Sequence, residues 1–436
     1  MTYSGGVTQR LLDIDQFKRR INRNDPVANI YRNAIDLNRY SNAVANQVVT
    51  AYNDVILSAV DDLRRIDMGV ATAGGGIVSP ASYQAQRLRV ILAQLRESLD
   101  TWAGSSTALV SGELQGLAEL QTQFVTEQMR LAIRGGVADA RELLPSQIDA
   151  LQAVRTVQVS PNFAATVVSV DPTAINFTLP GTGAFNLTAG QGAAITLPNG
   201  QIVEKAFRGL AESQAQMFNT VVRNGLLTGE PTPQIARRLI GNLDFGQQAM
   251  SVRQKALAGG EVTKMANNQV MTIVRTSVQD VSNQASQQVY RANPDITGKY
   301  RYVATLDGRT SPICRSLDGQ EFKYGDGPTP PVHFNCRSTT IPIIDYKALG
   351  IPPPDWGTGP SKRASADGPV SGSLNYGEWL KGQPKAYQEE VLGKTRAAYF
   401  DKLAEKTTPQ KALARMVNED GSEVTLKELR ERYENP

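Results

Sequence analysis

Apolar residues recur at helical spacing along most of this chain. Val44, Val48, Tyr52, Val55, Ala59 and Leu63 follow one another at steps of three and four residues, which lines one face of a helix. A second helix is predicted from about Tyr83 to Trp102, broken at Gly104-Ser-Ser. A third carries Leu114, Leu117, Phe124 and Met129 and ends at Gly135-Gly136, since glycine tolerates the left-handed cap. Further on, Phe207, Leu210, Ala211, Met217, Phe218 and Val221 form another face. Thr232-Pro233 reads as an N-cap with proline in the first turn, ahead of Ile235, Ala236, Leu239 and Ile240, and Gly241 closes that helix. Val270, Val274, Val278, Val281, Ala285 and Val289 mark a long helix that stops at Asn293-Pro294. Its other face carries Asn268, Thr272, Thr276, Gln279, Asn283 and Gln287, and such a face is ordinarily solvated.

Two stretches break the helical pattern. Between Pro161 and Val203 the only charged residue is Asp171, and Val, Ile, Thr and Phe alternate with turn residues. Phe163 to Val170, Thr173 to Leu179 and Ala193 to Leu197 read as short strands. Such an uncharged β-rich insert is either a self-contained meander or a surface that meets another subunit. Lys299 to Thr305 alternates like a strand and leads into a turn at Asp307-Gly308. Ser338 to Ile344 is its expected partner, with Pro342 favouring an edge. Ile351-Pro-Pro-Pro-Asp355 and the residues to Ser373 have linker composition. Beyond them, Trp379, Tyr387, Val391, Leu392, Tyr399 and Leu403 anchor a helical tail, in which Thr408-Pro409 starts one helix and Thr425-Leu-Lys-Glu428 has capping-box spacing.

The predicted fold class is therefore α+β and predominantly α-helical. Five regions follow: a helical N-terminal region (1–160), the β-rich insert (161–203), a small α+β module (204–345), a Pro/Gly/Ser linker (346–373) and a helical tail (374–436).

Composition narrows the class only modestly. A net charge of +4 over 436 residues, with basic and acidic side chains interleaved, permits contact with nucleic acid without requiring it. Two cysteines cannot build a disulfide framework for a chain of this size, so assembly in a reducing cytoplasm is expected. The first residues lack the charged start and apolar core of a secretory signal, and no apolar run is long enough for a membrane helix.

The chemistry concentrates in one window. The single histidine and both cysteines, His333, Cys314 and Cys336, fall within 23 residues of each other. Thiolates and imidazole suit zinc, which takes four tetrahedral donors in structural sites. His333-x-x-Cys336 lets two side chains reach one ion from a tight turn, and the fourth donor would be Asp307, Asp318, Ser338 or water. Plain packing and hydrogen bonding, or thiol chemistry, fit the same three residues. The chain has no P-loop, no Gly-x-Gly-x-x-Gly after a strand, no Gly-x-Ser-x-Gly and no His-Glu-x-x-His.

The run Leu306-Asp-Gly-Arg-Thr-Ser, Cys314, Leu317-Asp-Gly319 and Pro330-Pro-Val-His333-Phe-Asn-Cys336-Arg resembles the signature of phage head-morphogenesis proteins of the Mu F type. Where that pattern ends Asn-Cys-Arg-Cys, this chain has Ser338. Tyr376-Gly-Glu-Trp-Leu-Lys-Gly-Gln-Pro and Val391-Leu-Gly-Lys-Thr-Arg396 are similar to the tail common in such proteins, so the resemblance covers roughly residues 203 to 436. It implies a non-enzymatic minor head protein of the virion, bound at or near the portal protein inside the capsid. Coat protein and packaged DNA would be close by, no membrane is involved, and the role is head morphogenesis or genome delivery. Asp307, Arg309 and Arg337 would then shape a structural turn beside the Cys/His site. Two alternatives are a toxin-like enzyme, nuclease or transferase, carried on a head-protein module, and an internal DNA-binding virion protein.

Overall fold

The computed structural model describes residues 25–66, 80–135, 137, 140–158, 177–178, 184–185, 200–228, 230–241, 254, 258–354, 362–418 and 421–433. The architecture is α+β and mostly helical. In chain order the helices are α1 (Pro26–Ile66), α2 (Pro80–Arg134), α3 (Pro145–Ala153), α4 (Gly200–Leu227), α5 (Thr232–Ile240) and α6 (Glu261–Ala292). They continue with α7 (Pro312–Leu317), α8 (Tyr376–Lys381), α9 (Lys385–Leu392), α10 (Lys394–Lys406), α11 (Pro409–Ala414) and α12 (Leu426–Tyr433). The strands are β1 (Phe177–Thr178), β2 (Ala184–Phe185), β3 (Thr297–Val303), β4 (Glu321–Lys323), β5 (Thr339–Ile344), β6 (Lys362–Ser365) and β7 (Gly368–Ser371). No helix among the described residues is long and apolar enough to cross a membrane.

The chain divides into two compact units. The described part of the first unit comes from Arg39–Leu114 and Leu197–Ser277. Here the stripe on α1 is buried at Val44, Val48, Tyr52, Ala59 and Leu63, while Val55 is half-buried. Trp102 packs edge-on between Tyr52 and Phe207, at ring-centroid distances of 5.3 and 5.7 Å. Its indole N–H donates to the Val48 carbonyl (3.1 Å), which satisfies a donor that burial cuts off from water. The break expected at Gly104-Ser-Ser does not occur, and α2 runs through it. Gly104 is exposed on the solvent side, and the Ser105 hydroxyl bonds back to the Thr101 and Trp102 carbonyls inside the helix. The packed apolar positions on either side outweigh the weak propensity of three residues. The helix stops instead at Gly135, whose φ of 65° is the left-handed cap that glycine adopts without penalty. α5 starts one residue earlier than expected, after Pro231, with no side-chain cap, and ends at Gly241.

The described part of the second unit comes from Leu12–Asn38, Gln115–Thr196 and Val278–Pro436. Its three-stranded antiparallel sheet has the order β4-β3-β5. Tyr300 of β3 lies between Phe322 of β4 and Pro342 of β5. Proline has no N–H for a ladder, and β5 is an edge strand. One core joins Ile30 and Tyr31 of α1, Phe124 to Ile133 of α2, Ala150 of α3, Val289 and Tyr290 of α6, and Val303, Ile341 and Ile344 of the sheet.

The uncharged face of α6 differs from expectation. Asn268 is exposed and Thr272 half-exposed, but Thr276, Gln279, Asn283 and Gln287 are buried. Gln279 and Asn283 donate their amides to the Ser338 carbonyl, Gln287 to the Thr340 hydroxyl, and Tyr290 donates its hydroxyl to the Thr340 carbonyl. These donors therefore satisfy the Ser338 carbonyl just ahead of β5 and the hydroxyl and carbonyl of Thr340 within it. Lys or Glu could not be buried here without partners, which explains why the face is polar yet uncharged.

The composition around residues 346–373 reads as a linker, but β6 and β7 form an antiparallel ribbon there, with Arg363 opposite Val370. Ser365 also makes a parallel bridge to Leu306. The reason is Arg363, which leaves the ribbon for the interior of the unit. In the β-rich insert, β1 and β2 pair Phe177 with Phe185. The other strands expected there, Phe163 to Val170 and Ala193 to Leu197, lie outside the described residues.

Asp280 supplies a pH test of the α6 packing. It is buried, a long hydrogen bond from Gln284 (3.5 Å) compensates it only weakly, and burial pushes its carboxyl up from 3.8 to about 7. Between those values the folded chain holds a proton that the unfolded chain has released. Stability therefore falls as pH rises from about 4 through about 7, by on the order of 4 kcal/mol, and is flat outside that window. Asp280→Asn should remove this slope, as measured by the denaturant midpoint across pH 4 to 8.

Candidate metal centre

The Cys/His window folds as a short helix and a turn, both leaning on the sheet. Ser311 caps α7: its hydroxyl accepts the Cys314 amide N–H (3.3 Å), with Pro312 at the first helical position. Cys314 thereby points from the first turn of α7 toward the loop ahead of β5. That loop turns at Asn335, which sits at φ 58°, a conformation asparagine tolerates. The Cys336 N–H closes the turn on the His333 carbonyl (3.2 Å).

These elements bring together the three residues that the sequence singles out. The ligand atoms of Cys314, His333 and Cys336 all lie within 4.8 Å of one another. Cys314 Sγ is 3.1 Å from His333 Nε2 and 3.8 Å from Cys336 Sγ. Both cysteines are buried and reduced, and His333 is half-buried. The imidazole is oriented by its far nitrogen, since Nδ1–H donates to the Phe334 carbonyl (2.8 Å). That bond directs Nε2 at Cys314 and at the Ser311 hydroxyl (2.7 Å), the arrangement by which proteins present a ligating histidine.

Charge within the cluster is polarised. Burial pushes the Cys314 thiol well above its ordinary range, and its hydrogen bond to Cys336 adds to this. Burial would raise Cys336 too, but the Cys314 hydrogen bond and the neighbouring His333 charge outweigh it and hold Cys336 well below the usual thiol value. His333 is moved down by burial and further up by the Cys336 charge and hydrogen bond, and so stands above its usual value. The two thiols are thus driven in opposite directions, Cys314 toward its protonated form and Cys336 toward its ionised form, and a metal bound by both would require each to be deprotonated.

Asp307, expected as a fourth donor, stands outside this group. Arg337 takes it in a two-pronged ion pair (2.6 and 2.7 Å), and the Arg309 amide N–H adds a third bond (3.0 Å). Burial of Asp307 works against ionisation, yet the bonds from Arg337 and its charge keep the carboxyl below its ordinary range. A carboxylate held this way is poorly available to an ion. The Arg309 side chain reaches Asp307 at only 3.4 Å and is mostly exposed, so its backbone does more than its guanidinium. Ser338, where the resembled pattern has a cysteine, is buried and bonds to Cys314 and Tyr302.

Asp318, another expected donor, is fully engaged elsewhere. It accepts the N–H groups of Ala304 (2.7 Å) and Tyr376 (2.7 Å) and both terminal nitrogens of Arg363 (2.6 and 2.9 Å). Arg363 and Asp318 are 4% and 0% exposed, a buried pair in the strict sense. Sequence reasoning missed Arg363, Ser311 and Tyr302, whose hydroxyl lies 3.2 Å from Cys314 Sγ. Ser311-Pro312 carries a helix-start signature that could have found Ser311. A lone arginine in a Pro/Gly/Ser-rich stretch carries no such signal.

A small antiparallel sheet, an adjoining Cys₂His group whose ligand atoms could hold a metal ion, and two carboxylate–guanidinium pairs thus make up one braced module. Residues 216–341 match the family model described as Phage Mu protein F like protein, so this segment is similar to proteins of the Mu F type. The match covers less than a third of the chain and includes Cys314, His333, Cys336 and Ser338. No curated protein and no solved structure matches the chain.

Removing one partner of a buried ion pair strands the other. Arg363→Ala should destabilise the second unit by about 3–5 kcal/mol, read as a lower denaturant midpoint in tryptophan fluorescence.

Proposed function

We propose that this chain is a minor structural protein of a tailed-phage virion, held inside the head at or near the portal vertex. There it would shape head assembly or the exit of the genome. The observation that carries this reading is that the Mu F-type match falls on a turn whose reactive groups bind one another. Asp307 holds Arg337 and Asp318 holds Arg363. The portal protein is the direct partner in this reading, with coat protein adjacent and packaged DNA close by.

The alternative of a toxin-like enzyme in the tail finds no support in the tail's carboxylates. Glu378 and Glu428 close capping boxes with Asn375 and Thr425. Asp401 lies between Lys381 and Lys385, and Glu423 faces Arg396 (3.6 Å). These are capping and surface ion-pair roles. Residues 374–436 also contain no histidine or cysteine.

For the Cys/His group, zinc is the ion we propose. Two sulfurs each about 2.3 Å from a tetrahedral ion stand about 3.8 Å apart, the separation of Cys314 Sγ and Cys336 Sγ. Cys314, Cys336 and His333 Nε2 would hold it. Its contribution is a cross-link between α7 and the loop leading to β5, with Ser338 beside it.

Two measurements test these readings separately. Co-expressed portal protein should be retained by the tagged chain, and failure to retain it under conditions where both are folded would overturn the portal assignment. Elemental analysis should find stoichiometric zinc in the wild-type chain and its loss in His333→Ala and Cys336→Ala, both of which should melt at lower temperature. Zinc-free wild type with an unchanged melting temperature in the variants would defeat the knuckle.

A further inference from the structure

The two thiols that face each other at the centre of the cluster have a second chemistry open to them. Cys314 Sγ and Cys336 Sγ are in van der Waals contact at 3.8 Å, and they come from different elements, α7 and the loop before β5. They are the only cysteines in the chain, so neither has another intramolecular partner. A disulfide requires the sulfurs to close to about 2.05 Å, a movement of less than 2 Å that side-chain rotation toward the facing sulfur contributes directly. Both cysteines are buried, but Ser311 and His333, which touch the Cys314 amide and Cys314 Sγ, are half-buried, so the cluster lies one side chain below the surface.

We propose that Cys314 and Cys336 form a reversible dithiol–disulfide couple that closes when a peroxide reaches the metal-free site. In the first step one thiol sulfur attacks hydrogen peroxide, the O–O bond breaks, and a sulfenic acid and one water form. In the second step the other thiol displaces the sulfenic oxygen, forming the S–S bond and releasing a second water. The couple loses two electrons and two protons to one peroxide, and an added dithiol returns them. Disulfide and metal are mutually exclusive, because each uses the same two sulfurs. On the virion reading, the chain passes from a reducing cytoplasm to an oxidising exterior, which gives the exchange an occasion. The thiol chemistry itself does not depend on that reading.

The test uses the full chain, reduced, stripped with EDTA, and treated with hydrogen peroxide. It is then unfolded, alkylated with iodoacetamide, and analysed by intact mass and a non-reducing gel. Loss of both alkylatable thiols in a monomeric chain, with full recovery after dithiothreitol, is expected. Cys314→Ser should instead give a sulfenic acid trapped by dimedone at Cys336, or an unreacted thiol. The folded wild type should close several-fold faster than the same chain in urea. Persistent thiols, over-oxidation that dithiothreitol cannot reverse, interchain dimers only, or equal rates folded and unfolded would each overturn the proposal. Zinc-loaded chain should keep both thiols under the same treatment. Oxidation there at an undiminished rate would sink the zinc reading alone and leave the couple standing.

Discussion

A single buried carboxylate, Asp318, ties the strand, ribbon and tail of the second unit to one helix end. It sits at the C-terminal end of α7 and accepts four bonds from three places in the chain: Ala304 after β3, Arg363 of β6, and Tyr376 at the start of α8. An ionised carboxylate at 0% exposure costs several kcal/mol to desolvate, and only a full set of donors offsets that. Its partners must therefore arrive together. The ribbon must form to deliver Arg363, and α8 must dock to deliver the Tyr376 N–H. The guanidinium also donates to the Leu374 and Ala304 carbonyls, so the ion pair is tied to the backbone at both ends.

α7 is consequently fixed on two sides. On one it presents Cys314 to His333 and Cys336. On the other, Arg315 donates to the Val391 and Gly308 carbonyls, and the Gln410 amide donates to the Arg315 and Ser316 carbonyls. α11 comes so close that a Cβ on Gly377 would stand 2.4 Å from the Gln410 backbone nitrogen; only glycine permits this approach. Leu306, next to Asp307, is part of the same apolar core as Tyr376, Trp379 and Phe400. The tail from α8 to α12 is thus continuous with the knuckle rather than appended to it. The tail supplies most of that core itself, but a passenger domain would make few bonds to its carrier, whereas here Leu306, Arg315, Asp318 and Gln410 all cross the junction.

The sequence was legible where one physical rule decided the outcome. The α1 and α6 stripes, the edge position of β5, the caps at Gly135, Thr408 and Thr425, and the clustering of Cys314, His333 and Cys336 all follow from periodicity, turn chemistry or ligand type. Misreadings occurred where tertiary partners reversed a local signal. The α6 amides looked solvated because nothing local shows that Ser338 and Thr340 lie above them. Lys362 to Ser371 looked like linker because its composition is that of a loop, while the deciding fact is a carboxylate 45 residues away. Asp307 looked like a ligand because carboxylates ligate, yet Arg337, one residue beyond Cys336, claims it first.

Ser338 sets the charge around the Cys/His group. A fourth ligand in the form of a thiolate would add charge next to Cys336, and a hydroxyl in its place bonds to Cys314 and Tyr302 instead. Around it, Ser311 serves both the Cys314 amide and His333 Nε2, Phe334 fixes the imidazole tautomer, and Asp307 anchors Arg337 immediately after Cys336. Each donor is positioned by a hydrogen bond to protein, which aims the three groups at a common centre. Positioning of this kind lowers the cost of ordering the ligands, and it lets the same frame serve as a metal clasp or as a pair of thiols held face to face.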